Sequence, residues 1–303
     1  VAINKGTFPV LDLTCYAELW DFIDDQEYGA KVWEDSIPNI DLDKPLGGTV
    51  NLPFSDYIFA REGRYGLYLN MPAPIGYDEY PKNNKIKFGV AVDDTEPTSS
   101  HTLNPATPTG LNGWYKSDVV VTLNAVDPLS HDVSSGVKEI KYKVGTGGWQ
   151  TITGNIGTFV IHDDGENIPV EYYAIDNVGN AQSQHNTFTI NMDQTPPEIS
   201  LQYEFSGDKA PYTFWFNATA TDATSGMVRV EFYLNSVLQE TVVGAGPDYS
   251  WSLPYVPLPV AVFRATAYDE CGLNAYDEIK DPKTSTNSVS QSISSQNSMR
   301  LPL

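Results

Sequence analysis

Short runs of alternating apolar and polar residues recur along the whole chain, separated by Gly, Pro, Asn and Asp. Many of the apolar positions are β-branched or aromatic, and a period of two residues is typical of strands that bury one face. The helical period is nearly absent, since only Cys15–Ile23 has some amphipathic character, and that segment is equally compatible with a strand. The pattern therefore predicts an all-β protein.

The clearest series of strands lies in the middle of the chain, with a Gly-rich hairpin turn over Gly145–Gly148. The predicted strands are Asp118–Val126, Val137–Val144, Trp149–Thr153, Thr158–His162, Pro169–Ile175 and Asn186–Met192. There is room for a further strand before Gly113. These strands and connection lengths indicate a Greek-key β-sandwich.

The same pattern occurs a second time near the end of the chain, as an internal repeat. The repeated strands and turns are Phe214–Thr221, Asp222–Gly226, Met227–Leu234, Val262–Tyr268 and Asp269–Asn274. The second copy departs from the first in one place, because Leu273 separates Gly272 from Asn274, whereas Gly179 and Asn180 are adjacent. We expect the last strand of this copy at Ser288–Ser294, after an acidic insertion.

Two similar linkers divide the chain, Asp94–Pro97 and Asp193–Pro197. Proline fixes φ and stiffens such joints in extended structure. Boundaries near 96 and 197 predict an all-β chain of three tandem Greek-key β-sandwich domains in an extended arrangement. They span residues 1–96, 97–197 and 198–303, the last with a Ser- and Asn-rich tail. Residues 1–96 contain a plausible strand, Lys85–Val92, but lack the repeated Asp turns, so their assignment rests on context.

The charge of the chain excludes several partners. With 18 Lys+Arg and 39 Asp+Glu, the formal net charge is -21, which would repel nucleic acid and anionic membranes. No apolar stretch reaches the length of about 18 residues that a membrane span needs. The two cysteines, Cys15 and Cys271, form no metal-binding spacing, and we expect unpaired, buried thiols.

The two repeats resemble the immunoglobulin-like modules strung along bacterial and archaeal surface and secreted proteins. The matching motifs of the middle module are Gly113-Trp114-Tyr115, Asp127 with Ser135-Gly136, Gly147-Gly148-Trp149, Asp176 with Gly179-Asn180, and Asp193 with Pro196-Pro197. The third module is similar to a sister type through Ser225-Gly226, Tyr249-Ser250-Trp251 and Ala265–Asp269. The resemblance implies extracellular spacers, stalks, adhesive arrays or accessory modules of secreted enzymes, and it implies no catalysis.

The residues themselves also argue against an enzyme. The four histidines lie near turns and outside any HExxH motif, and the chain has neither GxSxG nor a P-loop. These histidines are His101, His131, His162 and His185. We therefore predict no catalytic residues.

Four aspartates recur where a strand ends and a turn begins: Asp127, Asp176, Asp222 and Asp269. One interpretation is an Asx-turn, in which the carboxylate accepts hydrogen bonds from the next backbone N–H groups. The other is an interdomain calcium site, because a Greek-key fold brings these turns to the pole where the linker enters. The linker carboxylates expected there are Asp93, Asp94 and Glu96 at one joint and Asp193 at the other. Clustered carboxylates repel one another unless a proton or a cation intervenes, and Ca²⁺ takes six to eight oxygen ligands.

The sequence as a whole predicts a non-catalytic extracellular structural or adhesive protein, such as a cell-surface stalk, a sheath or a filament subunit. Its expected partners are other copies of itself or neighbouring surface proteins. The alternative is a carbohydrate-binding accessory region of a secreted enzyme, with glycans as partners and Trp149 as an exposed aromatic contact. Asn217-Ala218-Thr219 is in addition a candidate N-glycosylation sequon.

Overall fold

The computed structural model describes residues 2–4, 10–21, 30–42, 48–50, 55–56, 59, 62–70, 85–206, 212–255 and 261–280. All regular elements in these ranges are strands, which confirms the all-β prediction. None of the described ranges contains a helix that is long and apolar enough to cross a membrane.

The described residues before the first linker form two sheets. Their strands are β1 (Ala2–Asn4), β2 (Val10–Asp21), β3 (Ala30–Leu42), β4 (Gly48–Val50), β5 (Gly63–Asn70) and β6 (Lys85–Val92). One sheet pairs β1 with β4, and the other has the order β3-β2-β5-β6. The segment with an ambiguous period lies in β2, where Cys15, Ala17 and Leu19 are buried on alternate positions. It is therefore a strand as far as Asp21.

The middle part of the chain is a sandwich of two sheets. Its strands are β7 (Thr98–Asn104), β8 (Trp114–Tyr115), β9 (Val119–Val126), β10 (Val137–Val144), β11 (Gln150–Thr153), β12 (Ile156–Ile161), β13 (Gly165–Asp176) and β14 (Asn186–Met192). The sheet β12-β9-β7 faces the sheet β11-β10-β13-β14-β8, in which β8 runs parallel to β14. Alternate residues of β9 point inward, so that Val119, Val121, Leu123 and Ala125 are buried in the core between the sheets.

A second sandwich follows with the same strand order, except that it has no counterpart of β8 among its described residues. Its strands are β15 (Glu198–Ser206), β16 (Tyr212–Thr221), β17 (Met227–Leu234), β18 (Val237–Val243), β19 (Asp248–Tyr255), β20 (Val262–Asp269) and β21 (Asn274–Lys280). The sheet β15-β16-β19 faces the sheet β18-β17-β20-β21. Phe214, Phe216, Phe232 and Phe263 fill the core between them. One sheet thus contains the first, second and fifth strands, and the other sheet contains the remaining four. This is the Greek-key order of an Ig-like sandwich.

This sandwich contains a strand that the sequence pattern did not predict. β21 follows the turn after β20 directly and pairs with it from Asn274 to Lys280, whereas the sequence pattern placed the last strand at Ser288–Ser294. Residues 288–294 lie outside the described part of the chain. The division into three domains also stays a prediction, although β7 and β15 begin at Thr98 and Glu198, one or two residues beyond the proposed boundaries.

Candidate functional site

Two groups of three aspartates lie at the linkers. In each group, one carboxylate oxygen from every residue lies within 4.8 Å of the others. The first joint consists of Asp93, Asp127 and Asp176, and the second joint consists of Asp193, Asp222 and Asp269. Six of the eight carboxylates considered from the sequence are thus brought together in two equivalent sets.

The strand order explains this convergence. In the middle sandwich, Asp127 follows β9 and Asp176 ends β13, so both lie at the end of the sandwich where the linker arrives from β6. Asp222 follows β16 and Asp269 ends β20 in the same way. The repeat of the strand order therefore repeats the cluster.

The linker aspartate of each joint ties two chain segments together. Asp93 Oδ1 accepts a hydrogen bond from the Thr95 N–H at 3.1 Å, and its Oδ2 accepts one from the Ser135 N–H at 2.6 Å. Asp193 accepts the corresponding bonds from Thr195 at 3.0 Å and from Ser225 at 3.2 Å. Hydrogen bonds to a charged acceptor are among the stronger ones, so each linker is fixed to the turn after the second long strand of its sandwich.

The turn aspartates Asp222 and Asp127 both accept hydrogen bonds from the turns that follow them, and Asp222 has the geometry of an Asx-turn. Asp222 Oδ1 accepts hydrogen bonds from the N–H groups of Ser225 and Gly226, both at 2.8 Å. Asp127 Oδ2 accepts from the Gly136 N–H at 2.7 Å and from Ser134 Oγ at 2.9 Å. These bonds use one oxygen of each carboxylate, so they do not compete with a ligand on the other oxygen.

The two most deeply buried carboxylates, Asp176 and Asp269, are satisfied to different degrees. Asp176 is 0% exposed, and its Oδ1 accepts from three successive backbone N–H groups at 2.6–3.0 Å. Its Oδ2 accepts from Asn180 Nδ2 at 2.8 Å. Asp269 is 2% exposed; its Oδ1 accepts from the Leu273 N–H at 2.8 Å, but its Oδ2 is buried without a hydrogen-bond partner.

The pKa values of two carboxylates of the second joint are raised, which agrees with the incomplete hydrogen bonding of Asp269. Burial raises the pKa of Asp269 to about 6, and the negative charges of Asp193 and Asp222 add to the effect. Burial also raises the pKa of Asp193 above its ordinary value. Removing a carboxylate from water disfavours its charged form, and a neighbouring negative charge has the same sign of effect.

The remaining two predicted residues, Asp94 and Glu96, are not part of the first joint. Both are exposed, and the Glu96 carboxylate accepts a hydrogen bond from the Ser183 N–H at 2.7 Å. The Asp94 N–H faces Glu62 Oε2 at 3.4 Å, and a hydrogen bond with Glu62 raises the pKa of Asp94, so Asp94 interacts with Glu62 and not with the aspartates of the turns. Spacing alone did not show which carboxylates of the linker point inward.

Further contacts across the first joint were not apparent from the sequence. Glu62 Oε1 lies 2.9 Å from His131 Nδ1, and Glu62 Oε2 accepts from Thr95 Oγ1 at 2.6 Å. Hydrogen bonds from Ser130, Thr95 and His131 hold the pKa of Glu62 well below its usual range. Arg64 Nη2 donates to the Asp132 carbonyl at 2.9 Å.

The second joint has a closer contact between the two sandwiches. The Leu111 N–H donates to the Cys271 carbonyl at 2.8 Å, and Asn112 Nδ2 donates to Glu270 Oε2 at 2.7 Å. Cys271 is fully buried there, as predicted for an unpaired thiol, and its Sγ lies 3.4 Å from the Asp193 carbonyl. In the sequence, the two glycines Gly110 and Gly113 indicate a turn, but nothing in the sequence indicates that this turn contacts Glu270 and Cys271.

The histidines do not converge on a pocket or a nucleophile in the described part of the chain. His101 is half-buried, stacks on Phe188 at 4.0 Å and contacts Tyr172 Oη at 2.8 Å. The other three each face one carboxylate, in the pairs His131–Glu62, His162–Asp118 and His185–Glu171. Asn217 lies on β16 and is exposed.

An exposed aromatic patch lies on the open face of the five-stranded sheet. Trp149 is 45% exposed and meets Tyr173 and His185 edge-on, with ring centroids 5.1 Å and 5.6 Å away. Tyr173 and His185 stack on each other at 4.1 Å. Lys143 Nζ lies 4.8 Å from the Trp149 ring centroid.

Comparison with known proteins gives no family for this chain. No family model and no curated protein sequence matches it. Among solved structures, fibronectin(III)-like modules of Clostridium thermocellum CbhA align at 13% identity, covering 60% of this chain and 92% of that one, with a TM-score of 0.26. Dimeric latent PorU from Porphyromonas gingivalis aligns at 10% identity, covering 89% of this chain and 29% of that one, with a TM-score of 0.25. These similarities are too distant to carry an argument, so the Ig-like fold rests on the strand order described above.

Proposed function

We propose that this chain is a non-catalytic structural segment of an extracellular surface protein, in which sandwich modules hold a fixed distance and orientation. The observation that supports this is the repeated bonding of the linkers. At both joints a buried linker aspartate bonds the linker and the following turn in the same way, through Asp93 and Asp193. Burying a carboxylate is costly unless it is hydrogen-bonded, so a buried, bonded aspartate in each linker favours a fixed joint over a freely moving one.

The partners that fit such a segment are other copies of the chain or neighbouring surface proteins. Each sandwich has sheets that end in edge strands, such as β11 and β18, and an edge strand is able to accept a further strand by main-chain hydrogen bonds. Association through these edges would make the chain adhesive or filamentous, and the joints would then set the spacing of the contacts.

Small-angle X-ray scattering tests the structural function. The double variant Asp93→Ala, Asp193→Ala removes both linker carboxylates, and we expect a broader distribution of interatomic distances than in the native chain. The double variant Glu166→Ala, Glu240→Ala removes the same charge from exposed positions and is the matched control. If the native chain already samples as broad a distribution as the joint variant, the joints do not fix orientation and the proposal fails.

The exposed aromatic patch favours carbohydrate binding as a second candidate function. An exposed indole beside Tyr173, with the polar groups of Glu171 and His185 at its side, resembles a surface on which a sugar ring stacks. Glycan-array binding that is lost in Trp149→Ala would support this function. Trp215→Ala is the control, because Trp215 is 39% exposed on a different sandwich. Equal binding by both variants, or none by the native chain, would count against it.

A further inference from the structure

The second joint contains a buried carboxylate oxygen for which the structure provides no donor. Asp269 is 2% exposed, and its Oδ2 has no hydrogen-bond partner. An unpaired charged oxygen removed from water is costly, so such an atom either takes up a proton or faces a cation. One oxygen each of Asp193 and Asp222 lies within 4.8 Å of the oxygen that Asp269 contributes.

In the first joint, a side-chain amide donates a hydrogen bond to the equivalent carboxylate oxygen. Asn180 Nδ2 donates to Asp176 Oδ2 at 2.8 Å and also to the Asp93 carbonyl at 3.0 Å, so it links the turn to the linker. Leu273 takes the place of Asn180 in the second joint, since its N–H bonds to Asp269 Oδ1 at 2.8 Å just as the Asn180 N–H bonds to Asp176 Oδ1 at 2.8 Å. A leucine side chain has no donor to offer Asp269 Oδ2.

The first joint also has unpaired buried atoms, but they form a different set. They are Asp127 Oδ1 and Ser135 Oγ. A carboxylate oxygen is an acceptor and a hydroxyl is able to donate, so this set contains a donor of its own. In the second joint the unpaired atom is an acceptor alone.

We propose that the second joint is a Ca²⁺ site formed by Asp193, Asp222 and Asp269, and that the first joint binds Ca²⁺ much more weakly because Asn180 has taken over the role of the cation. The proposal rests on the structural function above, since the cation would fix the second joint as the amide fixes the first.

The chemistry of the group selects the cation. All three ligands are carboxylates, which suit Ca²⁺ or Mg²⁺ rather than the nitrogen and sulfur sites that Zn²⁺ prefers. Bonds of about 2.3–2.6 Å allow one Ca²⁺ to bridge oxygens that are up to about 5 Å apart, whereas Mg²⁺ needs about 2.0–2.1 Å and near-octahedral geometry. Mg²⁺ is usually bound by one or two carboxylates and keeps several waters, so three carboxylates whose oxygens lie within 4.8 Å of one another suit Ca²⁺ better.

Isothermal titration calorimetry of the full chain with Ca²⁺ tests the proposal. We expect one tight site per chain, and Asp269→Asn should weaken it by at least about 100-fold, because changing a ligand should cost no less than changing a residue that only orients one, which costs about 10–100-fold. Asp176→Asn makes the same chemical change at the equivalent position of the first joint and should leave the tight site intact. Two equally tight sites, no binding, or a larger loss in Asp176→Asn than in Asp269→Asn would each overturn the proposal.

A second pair of variants exchanges the residues that distinguish the joints. Leu273→Asn supplies an amide beside Asp269 and should weaken the tight site without unfolding the chain, as judged by its thermal transition in a chelator. Asn180→Leu removes the amide beside Asp176 and should strengthen Ca²⁺ binding at the first joint. Unchanged affinities in both variants would refute the assigned role of Asn180.

Scattering in a chelator separates this proposal from the structural function. If Ca²⁺ fails to bind and the distance distribution is nonetheless narrow, the Ca²⁺ site is refuted and the structural function stands. If one Ca²⁺ binds with the expected variant effects but the distribution is broad with and without it, the site stands and the structural function is refuted.

Discussion

Replacing Asp269 by asparagine should stabilise the chain when no divalent cation is present. The change removes one of the three negative charges of the second joint and leaves an oxygen to accept the Leu273 N–H, now 2.8 Å from Asp269 Oδ1. It also places an amide donor beside Asp193 and Asp222, as Asn180 does beside Asp93. We therefore expect Asp269→Asn to be more stable than the native chain in EDTA at pH 7.5.

The magnitude follows from the pKa of Asp269. Burial and the neighbouring carboxylates raise this pKa from 3.8 to about 6. Each unit corresponds to about 1.4 kcal/mol, so the charged form of Asp269 costs the folded state about 2–3 kcal/mol at neutral pH. Because the pKa of the folded state lies above that of the unfolded state, the folded chain binds the proton more tightly. The cost is absent below about pH 4, grows between about pH 4 and 6, and is complete above that range.

Urea unfolding followed by tryptophan fluorescence measures this effect, since Trp215 and Trp251 lie in the same sandwich as Asp269. In EDTA, the advantage of Asp269→Asn should be about 2 kcal/mol at pH 7.5 and should shrink toward zero near pH 4. Asp176→Asn is the control, and it should lose about 1–3 kcal/mol throughout, because both oxygens of Asp176 accept hydrogen bonds. An Asp269→Asn chain that is less stable than the native one at pH 7.5, or a difference independent of pH, would refute this account of the joint.

Three further experiments test the packing. Gly110→Ala should destabilise the contact at the second joint by about 1–3 kcal/mol, because its Cβ would lie 2.7 Å from the Cys271 carbonyl oxygen; Gly148→Ala, where a Cβ meets nothing within 4 Å, should leave the thermal transition in place. Phe216→Ala should cost about 3–5 kcal/mol in urea unfolding, because Phe216 is fully buried, whereas Trp215→Ala on the exposed face of the same strand should cost below about 1 kcal/mol. Ellman's reagent should find no reactive thiol in the native chain and both thiols in urea, since Cys15 and Cys271 are buried and burial raises the pKa of Cys271 to about 12. Rapid reaction of Cys271 in the native chain, located by peptide mapping, would show that the second joint opens.

Most strands of the two sandwiches were predictable because their inward positions are consistently apolar. Val137–Val144 and Asn186–Met192 match the observed strands β10 and β14 residue for residue. Strand β21 was not predicted, for a physical reason: its most buried position is Asp277, not an apolar residue. Asp277 Oδ2 accepts a hydrogen bond from the Leu201 N–H at 2.9 Å, which links the two sheets of this sandwich. In a sequence, an aspartate is typical of a solvent-exposed turn, and the backbone N–H that allows it to be buried in a strand cannot be identified.

The repeat in the sequence predicts where the aspartates of the two joints lie, but not how the joints differ. Because the strand order repeats, the repeated aspartates had to meet at equivalent places, and the linker aspartates Asp93 and Asp193 meet them there. The difference between the joints was not predictable in this way, because in the sequence Leu273 looks like a single insertion before Asn274. In the structure the backbone of Leu273 occupies the position of Asn180, and Asn274 instead begins β21, where its side chain is exposed. A leucine at the position of an asparagine thus removes the amide from Asp269 while keeping the turn, so two joints with the same turn differ in the charge that must be compensated.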